Sequence, residues 1–164
     1  KEHKNELWLA FSPIKSNFFN FMIQKSTELG VTNFIPIIFD RTIVRKINLD
    51  RLRKIAVEAS EQSNQINIPN IEEPTTLKKF LNKNQENVNL IFTDLNSKTT
   101  KLDKKKLLTK SNCIIIGPEG DFSESERVEI DKFKDIYKLS LGENILRAET
   151  AAISAISIVS YELN

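Results

Sequence analysis

The chain has 164 residues, 40% of them hydrophobic and 28% charged, which suits one soluble globular domain with a real core, or one with a short appendage. A net charge of +2 neither demands nor excludes a nucleic-acid partner, which would need a local basic patch. One cysteine excludes an internal disulfide and a cysteine-based metal site, and no run of about 18 apolar residues offers a membrane span; the expectation is a cytoplasmic protein with no metal and no membrane contact.

The first predicted element is a strand over "ELWLAFSPI", residues 6–14, ended by Ser12-Pro13. "NFFNFMIQKSTELG" follows as a helix whose stripe is Phe18, Phe21, Met22, Lys25 and Leu29, with Gly30 as its stop. "NFIPIIF" reads as a second strand, and Pro36 places it at an edge or a bulge. "LDRLRKIAVEASEQS" is helical, with Leu52, Ile55, Ala56 and Ala59 on one face and Asp50 as its cap. A loop then leads to a short helix from about Pro74. "VNLIFTDL" is a strand, "KTTKLDKKKLLTK" a polar stretch with a short helix, and "CIIIG" a further strand. "SESERVEIDKF" is a helix, "YKLSLG" a strand, and "RAETAAISAISIVSYEL" the last helix. Cys113 lies among isoleucines and reads as a core residue; His3 lies in a charged terminus and reads as solvated.

Strands alternate with helices, and the strands are continuous apolar runs, the pattern of a parallel sheet covered on both faces. Such sheets bind ligands beyond the carboxyl ends of their strands, which puts the chemistry in the turns after Phe92, Ile116 and Leu141.

The turn "CIIIGPEGDFSESE" has the outline of a phosphate loop, but Asp121, Glu124 and Glu126 crowd it. Ser123 and Glu126 form an S-x-x-E capping box, so a helix begins at about Glu124 and its first-turn acids suit the helix dipole. An anion there would meet like charge, and the Lys-Ser/Thr of a P-loop is missing. A neutral or cationic ligand held by backbone groups fits better, with Gly117 and Gly120 allowing close approach. The second turn is "LGENILRAETAA", after which Ala148, Ala151, Ala152, Ala155 and Val159 form a small-residue stripe; Ile153, Ile156 and Leu163 lie elsewhere around the same helix, which is buried either in a monomer's core or against a partner subunit.

"IIIGPEGDFSESE" followed by "LSLGENILRAETAAISA" resembles the paired signature of the RsmE-type ribosomal RNA small-subunit methyltransferases of the SPOUT superfamily. "QKSTELGVTNFIPIIFDRT" and "RLRKIAVEASEQSN" resemble the same family upstream, so the likeness covers nearly the whole chain. Three departures stand out. The family's G-P-E-G-G ends here in Asp121, its L-R-T-E-T-A has Ala148 for the threonine, and Asn64-Gln65 stands where Arg or Lys often follows E-Q-S.

The resemblance implies an α/β fold: a SPOUT-type parallel sheet flanked by helices, with a C-terminal trefoil knot. It implies that residues 1–164 are one methyltransferase domain without the family's N-terminal PUA-like RNA-binding domain, a trimmed form that the abrupt start at Lys1 also suggests. It implies a homodimer, S-adenosylmethionine as cofactor, and methylation of ring nitrogen 3 of a uridine in 16S rRNA, free or in the 30S subunit. The cofactor pocket is assigned to Ile116, Gly117, Gly120, Leu141, Gly142, Ile145 and Leu146, with Thr93 and Leu95 as further candidates. Arg147 is the candidate cation for charge developing on the uracil oxygens, and Glu119 or Glu149 the candidate base. Arg41, Arg45, Arg51 and Arg53 are candidate phosphate contacts. Two alternatives stay open: a SPOUT methyltransferase acting on tRNA or another RNA, and a non-enzymatic α/β nucleotide-binding module.

Overall fold

A computed structural model describes residues 5–94 and 101–164. Thirteen elements follow in chain order among them. The first half holds β1 (Leu7–Phe11), α1 (Ser16–Glu28), β2 (Asn33–Ile38), α2 (Leu49–Gln62), β3 (Asn70–Ile71), β4 (Thr75–Thr76) and α3 (Leu77–Asn84). The second holds β5 (Val88–Phe92), α4 (Lys104–Leu107), β6 (Ser111–Ile116), α5 (Glu124–Asp131), β7 (Ile136–Lys138) and α6 (Ala148–Leu163). The strands lie in the order β3-β2-β1-β6-β5-β7, with β4 paired to β2, and every pairing is parallel.

The continuous apolar runs follow from this arrangement. Alternate residues point to opposite faces, and both faces are covered. Leu9, Phe11, Phe34, Ile91, Ile114 and Ile116 pack with Met22, Ile23, Ala56, Ala152 and Ile156 of α1, α2 and α6. Ala10, Ile35, Ile37, Leu90, Phe92, Cys113 and Ile115 pack on the other side with Phe80 and Leu81 of α3 and Ile130 of α5. Cys113 is fully buried, and that burial pushes its thiol pKa far above the ordinary value, so it is an inert packing group.

Pro36 sits inside the sheet and not on an edge or bulge. It is in register with Phe11 of β1. On its outer side the Phe34 carbonyl accepts from the Glu72 amide, and Pro36 faces the same way two residues later. There β3 has ended at Ile71, and β4 joins only at Ile37, so the missing N–H has no ladder bond to leave empty.

Other boundaries shift for local reasons. Asn48 caps α2, its side chain accepting from the Arg51 amide, while Asp50 lies in the first turn. The helix expected from Pro74 starts at Leu77, because Thr75 and Thr76 first pair with β2 and Thr76 then caps it. The buried stripe of α1 is Phe19, Met22, Ile23, Ser26 and Thr27, rotated from the expected one; Phe21 and Leu29 are exposed. Asn64 adopts φ +54° at the end of α2, and Gln65 donates to the carbonyls of Thr27 and Glu28. The Asn64-Gln65 pair therefore closes a helix and ties it to α1. His3 lies outside the described residues.

Candidate active site: a cleft beyond the ends of β5, β6 and β7

Three chain turns meet beyond the carboxyl ends of the strands and enclose a cleft of about 250 Å3. Thr93 and Asp94 follow β5; Ile116, Gly117, Pro118, Glu119, Asp121 and Phe122 end and follow β6; Leu139, Leu141, Ile145, Leu146 and Arg147 follow β7, and Ala148 and Ala151 come from α6. These are the turns after Phe92, Ile116 and Leu141 that the parallel-sheet pattern singles out.

Phe122 organises the middle turn. Its ring meets those of Phe39 and Phe92 edge-on, with centroids 5.4 and 4.9 Å away. A Cβ on Gly117 would lie 2.8 Å from that ring, so Gly117 is needed for packing of the turn on itself as well as at the cleft wall. Asp121 has φ +68°, a conformation glycine adopts freely, which accounts for the glycine common at this position in the related motif. Asp121 offsets the strain by accepting from its neighbour's amide, Phe122 N–H, at 2.9 Å, and by pairing with Arg127.

The acids crowding this turn have separate partners. Glu126 is buried: one carboxylate oxygen closes the capping box on the Ser123 amide at 2.8 Å, and the other accepts from the Asp40 amide at 2.9 Å. Arg127, with its side chain 16% exposed, forms ion pairs with both Asp94 and Asp121. Burial works to lower its pKa, but the bond to Asp94 and the charges of Asp121 and Asp94 outweigh burial, so it is raised. Glu119 and Glu124 are exposed.

Arg147 stands at the N-cap of α6, its guanidinium 3.8 Å from the centroid of the Phe18 ring and its Nε 3.4 Å from Glu149 Oε1. Its side chain remains 60% exposed, whereas that of Glu149 is 10% exposed. Arg147 thus lines the cleft while Glu149 sits behind it as its counter-ion.

Of the cofactor candidates, Thr93, Ile116, Gly117, Leu141, Ile145 and Leu146 line this cleft together. Gly120 and Gly142 do not: the Gly120 carbonyl accepts from Arg41 at 2.6 Å, and Gly142 (φ +109°) turns the chain in open space. Leu95 lies outside the described residues. Of the basic candidates, Arg45 and Arg51 are exposed. Arg41 also reaches the Phe122 carbonyl at 3.5 Å, and Arg53 contacts Asp50 and Glu73 and donates to the Ile71 carbonyl. Sequence reasoning passed over Asp94, Asp121 as a cleft residue, and Arg127 behind them. Asp94 carries a signal, since it lies two residues past an apolar strand end; Arg127 carries none, because its role depends on two loops meeting in space.

A family model for the RNA methyltransferase domain matches residues 1–160. The chain belongs to this RNA methyltransferase domain family. A "Ribosomal RNA small subunit methyltransferase E" of Rickettsia conorii is 38% identical over 157 residues, covering 95% of this chain and 64% of that protein. The chain therefore spans somewhat less than two thirds of that relative's length. The crystal structure of a ribosomal RNA small subunit methyltransferase E from Neisseria gonorrhoeae, bound to S-adenosyl methionine, superposes with a TM-score of 0.86 at 29% identity, covering 98% of this chain and 68% of that one. The SpoU methyltransferase AviRb from Streptomyces viridochromogenes, solved with AdoMet, has a TM-score of 0.59 at 15% identity over 98% of this chain and 59% of its own. That last likeness shows the fold alone, a parallel sheet flanked by helices.

Proposed function

We propose that the domain binds S-adenosylmethionine in this cleft and transfers its methyl group to ring nitrogen 3 of a uridine in 16S ribosomal RNA. The observation that carries the proposal is the composition of the cleft. Ile116, Leu139, Leu141 and Leu146 offer apolar walls for an adenine, and the lining mixes them with backbone amides and carbonyls of the three turns. Among the described residues Arg147 is the sole cation in the lining, and it is paired with Glu149, so these residues do not form a cradle for a nucleotide triphosphate. The residues present fit a ligand with an adenosine, a zwitterionic tail and no phosphate.

S-adenosylmethionine supplies the electrophilic methyl group. The protein's own work is to hold the uracil edge near it and to manage the proton on N3. Removal of that proton leaves negative charge on the two flanking carbonyl oxygens. Arg147, exposed at the cleft and steadied by Phe18 and Glu149, is placed to stabilise that charge. Glu119, exposed and in the same lining, is the base this arrangement favours; Glu149, buried beneath Arg147, serves as its orienting partner. Arg41, Arg45, Arg51 and Arg53 are all exposed and are the candidate cations for RNA phosphates.

Residues 1–164 as one methyltransferase domain, an RNA-binding domain outside that span, a C-terminal trefoil knot and a homodimer belong to the same proposal. Phe21 of α1 and Ile158 and Tyr161 of α6 are exposed apolar groups that a second copy would cover.

The test is methylation of 30S subunits, free 16S rRNA and tRNA by the full-length protein, followed by location of the modified base. A methyl group on uridine N3 in 16S rRNA is expected, with Arg147→Ala folding normally but transferring at least about 100-fold more slowly. Modification of tRNA alone, or wild-type rates in Arg147→Ala, would overturn the corresponding part.

A further inference from the structure

Among the described residues, the cleft is lined by three carboxylates, of Asp94, Glu119 and Asp121, against the guanidinium of Arg147, itself paired with Glu149. Two of the three, on different turns, are held by one side chain. Arg127 Nη1 pairs with Asp94 after β5, and Arg127 Nη2 pairs with Asp121 after β6. Arg127 does not itself line the cleft.

Its backbone stands on a braced element. Arg127 follows the capping box of Ser123 and Glu126, its own amide donates to the Ser123 carbonyl at 3.0 Å, and Glu126 anchors the helix start to the Asp40 amide after β2. A guanidinium presented from such a base holds a forked geometry that a lysine could not. The pair with Asp94 is shielded, with side-chain exposures of 16% for Arg127 and 9% for Asp94, and is weakly screened by salt; the pair with Asp121, 34% exposed, is more open to it.

We propose that Arg127 is a positioning residue that fixes the spacing of the β5 and β6 turns and offsets one of the two negative charges that Asp94 and Asp121 bring to the cleft, and so sets how strongly the site prefers a cationic sulfonium ligand over its neutral thioether product. This rests on the cleft being an S-adenosylmethionine site. Two uncompensated carboxylates would favour the sulfonium over S-adenosylhomocysteine, which has the same adenosine and amino-acid parts but one positive charge less. Arg127 offsets one of these two charges and so lessens that bias, while it keeps the turns in register. Asp121, the residue that departs from the related glycine-rich motif, is one arm of the clamp.

The experiment is calorimetry of S-adenosylmethionine and S-adenosylhomocysteine on the wild-type chain, Arg127→Met and Asp121→Gly, at low and high salt. Arg127→Met is expected to bind both ligands more weakly, through the loosened turns, while the affinity ratio moves toward S-adenosylmethionine by about fivefold at low salt and less at high salt. Asp121→Gly keeps a backbone that suits φ +68° and leaves Arg127 paired to Asp94; its ratio is expected to move the opposite way, by about two- to threefold. A purely structural residue would weaken both ligands alike and leave the ratio unchanged. Unchanged ratios in both variants would overturn the proposal, and Asp121→Gly decides it alone should Arg127→Met fail to fold. Wild-type protein that binds neither ligand would refute the S-adenosylmethionine site itself, a distinct outcome that removes this role with it.

Discussion

Gly117 and Asp121 sit four residues apart in one turn and answer opposite demands. At Asp121 the backbone asks for glycine, and an acid is tolerated because its carboxylate is bonded to Phe122 N–H and Arg127. At Gly117 the space asks for glycine, because the Phe122 ring edge lies where a Cβ would be, at 2.8 Å. Gly117→Ala is therefore expected to displace the ring from Phe39 and Phe92, costing about 1–3 kcal/mol of stability and weakening ligand binding in the adjoining cleft. Urea denaturation checks it, and Phe122→Leu in the same chain should recover part of the loss. Stability equal to wild type would mean the turn can open without the ring. At this scale the sequence was partly readable. The glycines and the capping pair were visible as residue types, whereas the reason for Gly117 lies in a ring brought over it by the fold. Arg127 was unreadable for the same cause.

Helix starts decide much of how the turns are held. The box formed by Ser123 and Glu126 was legible from spacing alone, since three residues separate a hydroxyl from a carboxylate just ahead of a helical run. Its longer-range half was not: Glu126 also accepts from the Asp40 amide, joining α5 to the end of β2. Glu126→Ala is therefore expected to cost more than the ~1 kcal/mol of a lost cap alone, by about 0.5–1.5 kcal/mol for the part-buried hydrogen bond from the Asp40 amide. Ser123→Ala should lose the cap and an exposed hydrogen bond from its hydroxyl to the Asp40 carboxylate, which adds little because it is solvated, while the bond from the Asp40 amide to Glu126 stays. Chemical denaturation of the two variants at matched slope separates these costs, and equal losses would contradict the double role. The strands were legible as apolar runs because both sheet faces are buried. The rotated stripe of α1 was not, since its buried face includes Ser26 and Thr27, which hydrophobic spacing passes over, while Phe21 stays exposed. The two-residue β3 and β4 are too short to leave a periodic signal.

At the scale of the molecule, the parallel order β3-β2-β1-β6-β5-β7 brings the ends of β5, β6 and β7 to one side, and the cleft follows from that topology. Alternation of strands and helices was enough to anticipate where the cleft lies, and the motif likeness was needed to propose a ligand for it. The acids of the middle turn first read as a barrier to phosphate; in the fold, Glu126 is a brace, Asp94 and Asp121 are held by Arg127, and Glu119 is left at the lip. What disfavours a nucleotide triphosphate is thus less a field of bare acids than the lack of a cationic cradle among the lining residues. Calorimetry of the chain with S-adenosylmethionine, ATP and NAD in parallel tests this most directly. Saturable binding of S-adenosylmethionine, with no heat from ATP or NAD at the same concentrations, is the predicted result; binding of ATP or NAD without S-adenosylmethionine would contradict it.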